Sequence, residues 1–186
     1  EQAGRKLEIR NSALVELQHV LKLKHVPVRI EGYDISNIQG ISATGSMVVF
    51  TDGHADKNEY RKFRIRTVVG SDDTGMLKEV LTRRWRHPEW PYPDLILVDG
   101  GKGQLSAASA ALKKHRLTIP VAALTKNERH RGDHLFTTTL PGLMPLKRLP
   151  EAARNLILRI DDEAHRFAIS YHRHLHGRAL LIGRRD

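Results

Sequence analysis

The run DLILVDGGKGQ, from Asp94 to Gln104, limits the fold of this chain more than any other stretch. Four consecutive apolar residues, Leu95 to Val98, stop on Asp99, and Gly100, Gly101, Lys102 and Gly103 follow. A short apolar run bounded by turn residues reads as a strand buried on both faces. The glycines read as a turn into a helix from Gly101 to His115, whose Leu105, Ala108, Ala111 and Leu112 recur at helical spacing. Strand, tight turn and helix together form the repeating unit of an open α/β sheet. A carboxylate that closes such a strand stands at the carboxyl edge of the sheet, where ligands and catalytic metals collect.

The remaining pattern builds a sheet around that unit. Leu14, Leu17 and Leu21 give the segment Gln2 to Lys24 a helical stripe, and Pro27 stops it. Strands are expected over Val28 to Ile35, Ser42 to Phe50 and Glu59 to Thr67, with a hairpin loop in the Asp52 to Asp56 stretch. Ser71, Asp72 and Asp73 signal the start of a helix that runs to about Arg86. Another buried strand covers Ile119 to Leu124, then a basic loop covers Lys126 to Gly132 and a hairpin forms around Pro141-Gly142. The last helix begins near Pro150 and reaches about His174, with Ala153, Leu156, Ile157, Ile160, Ala164, Phe167 and Tyr171 as its core stripe. Three strands followed by alternating helix and strand predict an α/β fold: a mixed β-sheet flanked by α-helices. The whole of residues 1–186 reads as one domain, with a leading helix to about residue 26 and the start of a linker from about residue 178.

Composition narrows the partners. Lysine and arginine number 31 against 21 aspartates and glutamates, a net charge of +10. Such a field attracts polyanions, nucleic acid first among them, although it also serves as plain solubilising charge. Cysteine is absent, which excludes disulfides, thiolate metal sites and cysteine nucleophiles. The apolar runs are too short to span a bilayer, and Glu1 to Arg10 has no signal-peptide pattern, so the expected location is cytoplasmic.

A second strand also ends on a carboxylate, Asp34 in RIEGYDISN. One aspartate at a strand end commonly caps a turn or helix. Two on neighbouring strands repel each other, and a divalent cation such as Mg2+ or Mn2+ relieves that repulsion with hard oxygen ligands. His165, in the last helix, flanks the apolar stripe. It reads either as a boundary residue or as a group that meets the two aspartates from above. A phosphate loop is the rival reading of DGGKGQ and fails on spacing, because such a loop needs glycine, four residues and then Gly-Lys-Ser/Thr. Ile96 stands where the first glycine belongs and Gly103 follows the lysine. Lys102 can still meet a phosphate from the first turn of its helix.

Taken in order, IEGYDIS, YRKFRI, SDDTGMLKEVLTRRW, PDLILVDGGKGQL and DDEAHRFAISYHR resemble the UvrC family, the nuclease subunit of bacterial nucleotide excision repair. The resemblance covers Ile30 to about Arg178. It implies a ribonuclease H-like fold and a divalent-metal-dependent endonuclease that cuts on the 5′ side of a damaged nucleotide. Asp34 and Asp99 match the family's catalytic aspartates and His165 its catalytic histidine, all three as candidate ligands of Mg2+ or Mn2+. Asp73 matches an accessory carboxylate, which helix capping explains equally well. Lys102, Lys126, Arg129, Arg131 and Arg173 are candidate DNA-phosphate contacts, with solvated surface charge as the alternative for each. Damaged DNA and UvrB are the implied partners, with no membrane and no small-molecule substrate. Tyr33 and the loop Asn127 to His134 depart from the family wording. An amino-terminal GIY-YIG nuclease, a UvrB-binding segment and a helix-hairpin-helix module after Arg178 are the family's other parts. The competing expectation is a non-catalytic DNA- or protein-binding domain that keeps the fold, for which paired strand-end acids would be superfluous.

Overall fold

The computed structural model describes residues 12–36, 43–68, 70–129 and 131–182, with side chains through Ser170. Helix α1 covers residues 12–20 of the described chain. The other elements are β1 (Arg29–Ser36), β2 (Thr44–Thr51), β3 (His54–Ala55), β4 (Arg61–Arg64), α2 (Asp73–Arg84), β5 (Leu95–Asp99), α3 (Lys102–Lys114), β6 (Val121–Lys126), β7 (Gly132–Thr137), β8 (Leu143–Pro145) and α4 (Glu151–Ile182). They form an eight-stranded mixed sheet in the order β3-β2-β1-β5-β6-β7-β8, with β4 also paired to β2. The central strands β1, β5 and β6 run parallel, and their outer neighbours are antiparallel.

Alternation along each strand divides the core into two layers. Ile30, Val48, Leu95, Leu97, Ala122 and Leu124 face α1 and α4, packing against Leu17, Leu21, Leu156, Ile157 and Ile160. Tyr33, Met47, Val49, Ile96, Val98 and Ala123 face α2 and α3, packing against Met76, Leu77, Val80, Ala108 and Leu112. Gly32 lets α4 settle close to β1, since a Cβ there would lie 2.6 Å from Ile160 Cγ2.

The observed elements refine several expected boundaries. The third strand, expected over Glu59 to Thr67, is shortened to β4 (Arg61–Arg64), and a further short strand, β3, forms inside the stretch expected as a hairpin loop. Asp52 and Gly53 both take positive φ, 51° and 75°, and make a tight hairpin into β3. A 3-10 turn over Lys57–Glu59 then leads into β4, which also pairs with β2. Strand β6 extends through Lys126, so the loop after it begins at Asn127. The last helix does not stop near His174. Instead α4 continues to Ile182, because Leu175, Arg178, Ala179, Leu180 and Leu181 all favour helix and one glycine does not end it.

Beneath β1, on the α2 side, lies an ion pair that the sequence pattern does not disclose. Arg84 and Glu31 are both fully buried, with Arg84 Nη2 donating to Glu31 Oε1 at 2.8 Å. Tyr33 Oη donates to Glu31 Oε2 at 2.7 Å, and Arg84 also donates to the Pro91 carbonyl at 2.7 Å. The cluster ties the end of α2 and the approach to β5 onto β1.

Candidate active site

Asp34 and Asp99 both project from the α4 face at the carboxyl edge of the parallel strands. Tyr33 pairs with Val98 in register, so the next residues, Asp34 and Asp99, stand side by side on adjacent strands. The turn after Asp99 needs its glycine. Gly100 has φ of 130°, its N–H donates to the Leu124 carbonyl, and the Gln104 side chain fills the space a Cβ would take. Gln104 Oε1 in turn accepts from the Gly101 N–H at 3.0 Å and fixes the start of α3.

Helix α4 crosses above this edge and adds two groups one turn apart, Asp161 and His165. His165 Nδ1 lies 3.7 Å from Asp34 Oδ1, an ion-pair rather than a hydrogen-bond distance, and the ring is 59% exposed. The structure therefore sets His165 beside Asp34, and Asp99 next to Asp34 on the adjacent strand. It also adds Asp161, which the sequence pattern did not single out.

Lys126 closes the group from β6. Its ammonium donates to Asp99 Oδ2 at 2.9 Å and lies 3.1 Å from Asp161 Oδ2. Expected as a phosphate contact, it points back into the acids in this structure. Burial raises the pKa of Asp34, and the Asp99 charge raises it further, while His165 and Lys126 pull it down. Burial likewise raises Asp161 against the opposing pull of Lys126. For Lys126, burial alone would lower the pKa, but the hydrogen bond to Asp99 and the charges of both acids raise it.

The donor types fit a hard divalent cation, namely carboxylate oxygens joined by an imidazole. Among the described residues, no three histidine, aspartate or glutamate side chains stand close enough to hold one ion together. The Lys126 ammonium is the positive charge set against Asp99 and Asp161.

The other expected residues are more scattered. Asp73 is exposed on the first turn of α2, and the cap of that helix is Asp72, whose Oδ1 accepts from Gly75 N at 2.9 Å and Thr74 Oγ1 at 2.7 Å. Capping therefore does not account for Asp73. Lys102 lies on the first turn of α3 with its ammonium 5.4 Å from the centre of the Phe136 ring. Arg129 and Arg131 are exposed on a loop closed by Asn127, whose side chain accepts from both of their backbone N–H groups. The side chain of Arg173 lies outside the described residues.

A register row extends the site sideways. Asp34 pairs with Ser46, and Ser46 pairs with Lys62 of β4, so all three share the α4 face. Lys62 Nζ donates to the Phe167 carbonyl at 3.0 Å and sits 4.2 Å from that ring's centre. Burial lowers its pKa to about 8. At pH 8 a large share of Lys62 is therefore the free amine, while ordinary lysines stay almost wholly protonated. Brief treatment with an amine-acylating reagent at pH 8, read by peptide mass spectrometry, should modify Lys62 ahead of exposed lysines such as Lys24 and Lys78. Equal rates would show that the shift is absent.

A separate cleft lies away from these acids. It has a volume of about 790 Å³ and opens at the opposite end of β5 and β6, between Lys24, Pro93, Leu112, Arg116 and Ile119. None of the clustered acids lines it.

A mixed sheet with acids at its carboxyl edge and a helix closing over them has the ribonuclease H-like architecture. The chain belongs to the UvrC RNase H endonuclease domain family, whose model matches residues 18–169. It is 41% identical over 192 residues to UvrABC system protein C of Clostridium perfringens, covering 94% of this chain and 30% of that protein. To UvrABC system protein C of Clostridioides difficile it is 43% identical over 176 residues, covering 95% and 28%. The chain thus spans less than a third of the length of these relatives. Human ENDOV superposes with a TM-score of 0.49 at 14% identity, covering 91% of this chain and 96% of that one. Endonuclease V of Ciona intestinalis, solved with inosine-containing DNA, gives 0.44 at 14%, covering 68% and 56%. Among the described residues no helix is long and apolar enough to cross a membrane.

Proposed function

We propose that this domain hydrolyses a DNA phosphodiester bond with the help of Mg2+ or Mn2+, making the 5′ incision beside a damaged nucleotide in nucleotide excision repair. One observation carries the reading: two acids side by side on adjacent strands, with a histidine 3.7 Å from one of them. Asp34 and Asp99 would hold the cation, with His165 at its border. Once bound, the cation would polarise the scissile phosphate and lower the pKa of the attacking water.

The chain's own residues do the rest. Asp34 orients the His165 ring through Nδ1, leaving the exposed side of the ring to give or take a proton at the reacting oxygens. Lys102, Arg129 and Arg131, with Lys126 and Arg173, position the phosphate backbone without reading bases, which suits cutting that is set by a lesion rather than by sequence. Asp73 belongs to this reading only as an accessory carboxylate. The DNA-bound partner UvrB and a cytoplasmic location follow from the family relationship and belong to the same proposal.

Chelation tests it. Incision of a damaged duplex by the parent protein and its partner should stop on treatment with EDTA and return with added Mg2+ or Mn2+. Cutting that persists through chelation would reject the metal-assisted reading.

A further inference from the structure

We propose that Asp161 is a positioning residue that keeps the site ready for a divalent cation by giving Lys126 a second carboxylate, so that Asp99 can exchange one cation for another. The inference rests on the function proposed above and concerns a residue to which that function assigns no task.

The geometry is that of a bridge. The Lys126 ammonium lies 2.9 Å from Asp99 and 3.1 Å from Asp161, and the Asp161 side chain is only 9% exposed. Asp99 is the most open of the three bridge members, at 31%. A half-buried ammonium cannot lose its only carboxylate without a substantial cost. With Asp161 present, Lys126 can leave Asp99 and remain paired. Without Asp161, any cation arriving at Asp99 must strand Lys126. Asp161 sits one helical turn before His165, so the same face of α4 sets both the histidine and the anchor for the lysine.

Asp161 would thus act through Lys126, and this separates it from a ligand. Mn2+ affinity of the full 186-residue chain, measured by calorimetric titration without DNA, should rise about tenfold in Lys126→Met, where the competing charge is gone. It should fall about tenfold in Asp161→Asn and stay near the parent value in Asp161→Glu and in the charge control Asp162→Asn. In the Lys126→Met background, Asp161→Asn should change affinity by less than about twofold, because the group it anchors is absent. Equal weakening in both backgrounds would make Asp161 a ligand or a source of general negative field and would overturn the proposal. So would a Lys126→Met variant that binds Mn2+ no better than the parent. Thermal melts confirm that each variant is folded. Affinity is read without DNA, so failure here is distinct from failure of the incision reading.

Discussion

Asp99→Asn is expected to reduce incision by at least about a thousandfold in the parent protein while leaving binding to a damaged duplex within about twofold. The change removes one charge and almost no volume. Lys126 keeps Asp161 at 3.1 Å, so the fold loses a half-exposed ion pair and little else. Binding depends on the basic surface, which the substitution does not touch, so binding and cutting should separate cleanly. Single-turnover incision on a lesion-bearing duplex, beside a binding titration at the same salt, checks both halves. A normal cutting rate would remove the carboxyl edge from the chemistry.

The second large effect is on stability. Arg84→Ala should destabilise the domain by about 3–5 kcal/mol, because it leaves Glu31 charged and fully buried with its main partner gone. Arg29 offers Glu31 only a 3.4 Å contact and cannot replace the lost donors. Tyr33 would still donate to Glu31, but one hydroxyl does not neutralise a carboxylate. Replacing both members, as in Glu31→Gln with Arg84→Met, should recover much of the loss because no buried charge remains. Urea unfolding of the single and double variants measures this. A single variant within about 1 kcal/mol of the parent would show that the pair is dispensable.

Much of the sheet was legible from periodicity. The stripe of α4 has helical spacing, the run Leu95 to Val98 reads as a strand from its shortness and the glycines after it, and the acids at strand ends follow from where apolar runs stop. The third strand was less legible, since the 3-10 turn over Lys57–Glu59 arises from how two short strands share β2 rather than from local pattern. The meeting of Lys126 with Asp161 was hidden for another reason. A lysine at the end of an apolar strand looks like surface charge until the opposite helix shows that an aspartate meets it. Nothing in the spacing of residues 126 and 161 reports that meeting. Lys62 was hidden likewise, because only the registers of β1, β2 and β4 place it in a row with Asp34.

The groups at the carboxyl edge come from widely separated parts of the chain: Asp34 on β1, Asp99 on β5, Lys126 on β6, and Asp161 and His165 on α4. Every strand of the described sheet precedes α4, so both strand-end acids are synthesised before the helix that closes over them. At that stage Lys126 has Asp99 alone to neutralise it, and the histidine is missing. Of the groups gathered at this edge, Asp161 and His165 are therefore the last to be added, and the docking of one helix completes the proposed site.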